Sequence, residues 1–203
     1  MVNKMTIPKD IDVHEYRKPE NPADEIFIKR WSARAMSGEG ITDEELMTLF
    51  EAAKWAPSSS NDQPWRFIYA KHDTRYWDTF FSLLTAGNKR WCGNAAVLVV
   101  IASKKKFTNY DTDNRTHSFS AGSAFENLAL QGSMMGLIVH GMGGFDEKKA
   151  AKDLNVPGEY FINAMIAIGR PGEIERLDEE DRKREMPSTR KPLKEVVFEG
   201  KFE

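Results

Sequence analysis

Two arginines and a serine stand close together in the segment Arg30-Trp31-Ser32-Ala33-Arg34. Guanidinium groups match phosphate oxygens in a bidentate manner, and a hydroxyl adds a neutral donor, so this segment could bind a dianion. The same short pattern is also typical of a solvated helix end with surface ion pairs. Taken alone, it leaves a phosphate site and a plain helix end both open.

A second short basic segment, Pro187-Ser188-Thr189-Arg190-Lys191-Pro192, lies near the end of the chain. Its arginine could complete a phosphate site that Arg30 begins, although the two lie far apart in the sequence. The alternative is a solvated linker, because a basic run is usually an exposed one.

A loop of turn-forming residues at positions 57–64 separates a predicted helix from a predicted strand. Its first residues are Pro57, Ser58, Ser59, Ser60 and Asn61. Their side chains and backbone offer donors and acceptors that could recognise a heteroaromatic ring. Ser, Asn and Pro are also the residues that any turn uses, so an ordinary connection stays open.

Glycines cluster in the segment Gly141 to Asp146, after a predicted strand and before a predicted helix. The dinucleotide-binding fingerprint requires a third glycine where Asp146 stands, so a Rossmann phosphate loop is rejected. Backbone without side chains lets a flat ring approach and presents amide donors at its edge. A tight strand-to-helix turn explains the glycines equally well.

Several classes of function are excluded. The 29 Lys and Arg residues against 31 Asp and Glu leave a net charge of -2, which gives no positive field for nucleic acid or anionic membrane. The four histidines are scattered and predict no metal site. The chain has neither a G-x-S-x-G elbow nor a G-x-x-x-x-G-K-[ST] loop. Its single cysteine, Cys92, is predicted to be buried and structural.

The N-terminus has no apolar core of a signal peptide, and the longest apolar run, 95–102, is too short to cross a bilayer. We therefore expect a soluble, cytoplasmic protein with no membrane or nucleic-acid partner. The predicted organisation is an extended arm over residues 1–22, followed by a single domain over residues 23–203.

Hydrophobic periodicity predicts helices alternating with strands. The clearest helix begins at Thr42, where Glu45 completes a capping box. The pattern predicts an α+β or α/β sandwich in which helices cover a central sheet. Residues 173–185 are predicted to be a solvated charge run. The predicted helices are 24–31, 42–55, 74–86, 118–135 and one from residue 146, and the predicted strands are 65–70, 95–102, 137–140, 164–168 and 192–198.

Taken together and in this order, the segments resemble the FMN-dependent nitroreductase family, over about residues 24 to 198. The most distinctive piece is AKWAPSSSNDQPW at 53–65, and the others are RWSAR at 30–34, Gly87-Asn88-Lys89, Gly141 to Asp146 and Ser188-Thr189-Arg190. The resemblance implies an α/β/α sandwich with a mostly antiparallel sheet. It also implies an obligate homodimer with one non-covalent FMN in each of two interface sites, and a C-terminal segment that extends over the partner.

The resemblance also implies a role for each matching residue. Arg30, Ser32 and Arg190 would hold the phosphate, with Arg34 and Asn88 near the pyrimidine edge of the ring. The backbone of Gly143 and Gly144 would donate hydrogen bonds near flavin N5 and O4, with no side chain as catalyst. Position 143 is glycine where some members carry an acidic side chain. The remaining implied cofactor contacts are Trp31 and Met142, and Pro57, Ser58, Ser59, Ser60 and Asn61 from the other subunit.

The implied reaction is a ping-pong exchange. NAD(P)H passes hydride to flavin N5 and leaves, and an electron-poor acceptor such as a nitroaromatic or a quinone takes its place. The candidates for touching substrate are Phe107, Tyr110 and Arg115, in a region that equally suits a solvated loop. Three alternatives stay open: a specialised reductase for an enal, a semialdehyde or a halogenated aromatic, a non-catalytic flavin-binding protein, and an anion-binding dimer without flavin.

Overall fold

The computed structural model describes residues 11–202, so residues 1–10 of the predicted arm lie outside the described part. Within that part, one sheet contains the strands β1 (Trp65–Lys71), β2 (Val97–Lys104), β3 (Ile138–Met142) and β4 (Tyr160–Gly169). The strand order is β1-β2-β4-β3, and every neighbouring pair is antiparallel. The antiparallel sheet is therefore confirmed, with β1 and β3 at its two edges.

Helices precede, connect and follow these strands. Short 3-10 turns occur at Ser59–Asn61, Ile174–Arg176 and Leu193–Glu195. The α-helices of the described residues are α1 (Val13–Tyr16), α2 (Glu25–Lys29), α3 (Asp43–Lys54), α4 (Trp77–Leu83), α5 (Ala86–Cys92), α6 (His117–Met134), α7 (Glu147–Asp153) and α8 (Glu179–Arg182).

Two hydrophobic cores cover the two faces of the sheet. Along β2, Leu98 and Val100 belong to the core that contains residues of α4, α5 and α7. Val99 and Ile101 belong to the other core, which α3 and α6 complete. All of these β2 side chains are buried, as expected of a central strand whose continuous apolar run faces helices on both sides. The predicted α/β/α sandwich is confirmed.

Helix α3 begins as the sequence predicts. The hydroxyl of Thr42 accepts from the backbone N–H of Glu45 at 3.1 Å, and the Glu45 carboxylate accepts from the Thr42 N–H at 2.8 Å. This capping box satisfies two N–H groups that the first turn leaves without helical partners. The guanidinium of Arg170 binds the same carboxylate at 2.8 Å, which attaches the helix start to the end of β4.

The prediction of one helix over 74–86 is wrong. Helix α4 ends at Leu83, Leu84 and Thr85 are extended, and α5 follows as a helix that the sequence pattern did not reveal. Leu84 pairs with Phe145 in an isolated bridge, and the Thr85 N–H donates to the carbonyl of Gly144 at 3.1 Å. These contacts with a distant segment satisfy the backbone outside the helix, so tertiary structure overrides helical periodicity here.

The two chain ends also differ from the predictions. The predicted arm is not wholly extended, because α1 forms one turn within it. The predicted strand over 192–198 is absent, and the backbone forms the 3-10 turn Leu193–Glu195 instead. Val196 and Val197 have strand propensity, but they are exposed, and no strand formed by residues 11–202 lies beside them.

Candidate functional site

Two predicted phosphate residues, Arg30 and Arg190, lie close together. Arg30 directly follows α2, and its side chain is 16% exposed, with Nε 3.8 Å from the Glu126 carboxylate. Burial lowers the pKa of the Arg30 guanidinium; Glu126 opposes this shift, and the positive charge of Arg190 adds to it. Two guanidinium groups that repel each other favour an anion between or beside them.

A third arginine, which no sequence motif indicated, joins this pair. Arg17 donates from Nε to the Ser188 carbonyl at 3.0 Å, and from Nη1 to the carbonyls of Ile28 at 2.6 Å and Arg30 at 2.8 Å. The arm is therefore bound to both predicted phosphate segments. We name Arg17, Arg30 and Arg190 the arginine cluster.

The segment after Arg30 is held by a buried carboxylate. The carboxylate of Glu185 accepts from the backbone N–H of Arg34 at 2.8 Å and of Ala35 at 2.9 Å, and its residue is fully buried. The indole of Trp31 donates to the Glu185 carbonyl at 3.2 Å, and Arg34 donates to the Arg184 carbonyl at 2.7 Å. Trp31 and Arg34 were predicted to contact a cofactor, and in the structure their side chains donate hydrogen bonds within their own chain.

Burial of Glu185 and Asp181 contradicts the prediction that residues 173–185 are a solvated charge run. Burial raises the pKa of Glu185, because its ionised form loses hydration. Burial alone would also raise the pKa of Asp181, but hydrogen bonds from Arg90 and Arg184 lower it below its usual value. A run of charged residues indicates a solvated segment when only the sequence is considered, and the fold shows which of its carboxylates are buried.

His140 connects the segment 30–34 to β3 and α5. Its Nδ1 lies 2.9 Å from the carbonyl oxygen of Ala33, and its ring centroid lies 4.5 Å from that of Trp91. Burial lowers the pKa of His140 to about 4, and the nearby charges of Arg34 and Arg30 act in the same direction. The neutral ring therefore donates from Nδ1 to the Ala33 carbonyl, which attaches the segment 30–34 to β3.

The structure brings Asn88 and Gly144 together. The carbonyl of Gly144 accepts from the side-chain amide of Asn88 at 2.9 Å and from the hydroxyl of Thr85 at 3.1 Å. A Cβ atom on Gly144 would lie 2.8 Å from the Asn88 amide nitrogen, whereas one on Gly143 would meet open space. Within residues 11–202, the backbone N–H groups of Gly143 and Gly144 donate to no protein acceptor.

The loop that follows α3 has an unusual backbone. Ser60, Asn61 and Gln63 have φ values of 52°, 52° and 49°, in the left-handed region that non-glycine residues seldom occupy. The hydroxyl of Ser58 accepts from the Gln63 N–H at 3.0 Å and fixes this shape. Pro57, Ser59, Ser60 and Asn61 are exposed. Strained, exposed backbone of this kind concentrates at ligand-binding loops.

The predicted substrate region is attached to this loop by Asp62. Its carboxylate accepts from the backbone N–H of Thr108 at 2.7 Å and from the side-chain amide of buried Asn114 at 3.2 Å. Sequence reasoning missed Asp62, because nothing but its place in the loop marks it. Of the predicted substrate residues, Phe107 packs edge-on against the exposed ring of Tyr110, and Arg115 is exposed.

Two interior side chains serve the core. The Cys92 thiol is fully buried, donates to the sulfur of Met142 at 3.4 Å, and has its pKa raised by burial, as expected for a structural cysteine. Because the Met142 side chain is buried here, any contact that this residue makes with a cofactor would come from its backbone.

Across residues 11–202, neither a three-residue metal-ligating cluster nor a helix able to cross a bilayer occurs.

The predicted site residues thus form two groups. The first group adjoins β3: Arg30 lines a cavity with residues 137–139, Ala33 bonds to His140, and Asn88 bonds to Gly144 just after the strand ends. Arg17 links Arg30 to the segment that carries Arg190. The loop 57–63 and the substrate region adjoin the start of β1 and the end of β2. Strands β1 and β3 are opposite edges of a four-stranded sheet, roughly 14 Å apart at the usual spacing between strands.

Known proteins resemble this chain over most of its length. A solved structure described as an oxidoreductase containing FMN is 40% identical, with a TM-score of 0.90, over 92% of this chain and 96% of its own. A second solved structure, from Desulfovibrio desulfuricans, is provisionally described as a nitroreductase in complex with FMN. It is 25% identical to this chain with a TM-score of 0.69, and the match covers 91% of this chain and 100% of that one. An Archaeoglobus fulgidus protein provisionally named NADH dehydrogenase/NAD(P)H nitroreductase is 27% identical over 77% of this chain and 88% of its own.

The family comparison agrees with the fold and with the sequence motifs. The model described as Nitroreductase family matches residues 28–90 and 72–170, a span that contains all four strands. The resemblance inferred from the motifs is therefore confirmed: the chain belongs to the nitroreductase family of oxidoreductases.

Proposed function

We propose that this chain is an FMN-dependent NAD(P)H oxidoreductase that reduces electron-poor acceptors such as nitroaromatics or quinones. The observation that carries the proposal is the convergence of Arg30 and Arg190 from opposite ends of the domain. When bound, FMN would supply the two-electron chemistry at its N5 atom. The protein's own task is then to bind, orient and polarise.

The donor set of the site fits FMN. Arg30, Arg190 and the hydroxyl of Ser32 would hold the phosphate, which carries close to two negative charges. The Asn88 amide is committed to Gly144, so its side-chain oxygen is the group available to a ring N–H. Arg34, although bound to the Arg184 carbonyl, brings positive charge to the same edge of the ring.

The glycine pair supports the orientation of the ring. The N–H groups of Gly143 and Gly144 lack protein acceptors within residues 11–202 and can donate to N5 and O4. The absence of a side chain at Gly143 leaves space for a flat ring and for a second flat molecule stacked on it. These backbone donors would stabilise negative charge that develops on the ring during reduction.

A homodimer would complete the site. The loop 57–61 lies at the other edge of the sheet from Gly143, so we propose that it lines the flavin of the partner subunit. Trp55, next to this loop, and Phe119, at the start of α6, are 75% and 77% exposed in the single chain. Aromatic side chains so exposed are typical of a protein interface. The C-terminal residues 193–202, which are mostly exposed in the single chain, would extend over the partner.

The first test is the absorbance spectrum of the purified protein, followed by anaerobic mixing with NADH and with NADPH. We expect bound flavin that bleaches within seconds, and reoxidation by nitroaromatic, quinone or enal acceptors. Flavin that stays oxidised with both donors would indicate a non-catalytic flavin protein. A protein that neither contains nor takes up FMN would overturn the proposal.

The second test concerns the phosphate. Replacing Arg30 or Arg190 with Ala removes a charge-assisted contact of about 1.5–3 kcal/mol, so FMN affinity should fall by about tenfold or more. Arg75→Ala is the control, since Arg75 is an exposed arginine that donates to the Tyr76 hydroxyl at 2.6 Å and packs over the Tyr76 ring, away from the arginine cluster. Unchanged affinity in both site variants would mean that the phosphate binds elsewhere.

The third test separates the two subunits. Arg30→Ala damages one half of each site, and Asn61→Val damages the other by placing a β-branched residue at a φ of 52°. At an FMN concentration too low to activate either variant alone, co-expression of the two should restore about a quarter of the parent activity, because each mixed dimer then has one intact site. No recovery in mixed dimers isolated by two affinity tags would argue that each chain builds its own site.

A further inference from the structure

The described part of the N-terminal arm, residues 11–22, forms hydrogen bonds to two parts of the chain that are far apart in sequence: the end of α2 and the C-terminal segment. At its beginning, Asp12 caps α1 by accepting from the His14 N–H at 2.9 Å, and Val13 is buried. At its end, the Glu20 carboxylate accepts from the Leu193 N–H at 2.8 Å. Arg17 lies between these two attachments.

Arg17 donates three hydrogen bonds to backbone carbonyls. Two belong to Ile28 and Arg30, at the end of α2, and one belongs to Ser188, in the C-terminal segment. The planar guanidinium fork fixes these three oxygens relative to one another. Because Arg30 and Arg190 extend from the two segments so joined, their separation depends on Arg17.

Arg17 is also a nearly buried cation without a carboxylate. It is 7% exposed, its Nη2 has no hydrogen-bond partner within residues 11–202, and no Asp or Glu of that part forms an ion pair with it. Burial, together with the positive charges of Arg190 and Arg30, lowers the pKa of Arg17 to about 10. A buried charge without a counterion is costly, and a bound dianion nearby would offset that cost.

We propose that Arg17 is a positioning residue for the cofactor phosphate. It holds the backbone that carries Arg30 against the segment that carries Arg190, and it adds a third positive charge behind them. This inference rests on the proposed function, and it assigns to the N-terminal arm a part in binding the anion.

The test compares two ligands that differ only in the phosphate. The full-length chain, stripped of flavin, is titrated with FMN and with riboflavin while flavin fluorescence is followed. Arg17→Met should weaken FMN binding by about tenfold or more and leave riboflavin binding within about twofold. Arg17→Lys keeps the charge without the fork, so its FMN affinity should lie between those of Arg17→Met and the parent.

Arg170→Met is the matched control, because Arg170 also joins two segments, through Glu45 and the Gly40 carbonyl, but lies outside the arginine cluster. It should keep the parent's preference for FMN over riboflavin. Equal weakening of both ligands by Arg17→Met, or of neither, would overturn the inference while leaving the proposed function intact. A parent chain that takes up no FMN would overturn the proposed function and this inference with it. If Arg17→Met does not fold, an unchanged preference in Arg17→Lys would be decisive against the inference.

Discussion

The side-chain amide of Asn88 donates to the carbonyl oxygen of Gly144 at 2.9 Å. Together with the two donors of Thr85, this bond fixes the peptide group of Gly144. This carbonyl belongs to the peptide unit that joins Gly144 to Phe145, so the bonds restrain the backbone that directly follows the N–H groups of the glycine pair. The start of α5 therefore supports the end of β3, although neither segment was predicted to contact the other.

Replacing Asn88 with Ala should destabilise the protein by about 1 kcal/mol and weaken FMN binding, because one of the Gly144 bonds is lost. The matched control is Asn127→Ala, which removes a similar amide-to-carbonyl bond, to Ala52 at 3.2 Å, on the other face of the sheet. Urea unfolding should show similar costs for both variants. Flavin titration should show a loss only for Asn88→Ala, and equal FMN affinities would contradict the role given to Asn88.

Replacing Gly144 with Ala should lower stability by about 1–3 kcal/mol, because the added Cβ would force Asn88 and Thr85 apart. The same change at Gly143 meets open space and should leave the free energy of unfolding within about 0.5 kcal/mol of the parent value. Thermal unfolding of the two variants measures the difference. Equal melting temperatures would mean that the Asn88 and Thr85 side chains move away from the added Cβ without a measurable cost in stability.

Acid should weaken the attachment of the segment 30–34. The pKa of His140 is lowered from 6.5 to about 4 by burial, so between these values the unfolded chain binds more protons than the folded chain. The stability that neutral His140 contributes is full above pH 6.5 and is lost as pH falls towards 4, a change of about 3 kcal/mol. His140→Asn keeps a donor for Ala33 but does not titrate, so its unfolding free energy should vary less over this range. Parallel pH profiles would contradict the assignment.

Replacing Asp62 with Ala should free the substrate region, since Thr108 and Asn114 lose their acceptor. We expect KM for bulky acceptors to change by about tenfold, in line with a loss of 1.5–3 kcal/mol, while FMN affinity stays constant. Asp111→Ala is the control, because Asp111 lies in the same region and forms an ion pair with the exposed Lys106. A change in FMN affinity, with KM unaltered, would place Asp62 at the flavin instead.

Local chemistry made much of the fold predictable. Thr42 and Glu45 mark a helix start by themselves, and the apolar run of β2 needs two covered faces wherever it lies. The family resemblance also singled out Arg30, Asn88, Gly144 and Arg190, and the structure brings Asn88 to Gly144 and Arg30 near Arg190. Their roles toward a cofactor stay predictions.

The features that could not be predicted depend on contacts between residues that are far apart in sequence. The break between α4 and α5 exists because Thr85 pairs with Gly144, and Glu185 is buried because the Arg34 and Ala35 N–H groups face it. A single arginine in a Pro-rich arm resembles any exposed arginine until its three carbonyl partners are known. Such roles follow from tertiary contacts and leave no local pattern.

The bonds from Arg17 to Ser188 and from Glu20 to Leu193 also bear on the order of folding, since they join residues 171 and 173 positions apart. Contacts between residues so distant in sequence cost more loop-closure entropy than local ones, so we expect them to form late. The sheet can assemble before them, because its strands all lie between residues 65 and 169. Under the proposed function, the protein would therefore gain its capacity to retain the cofactor phosphate only after the sheet has folded.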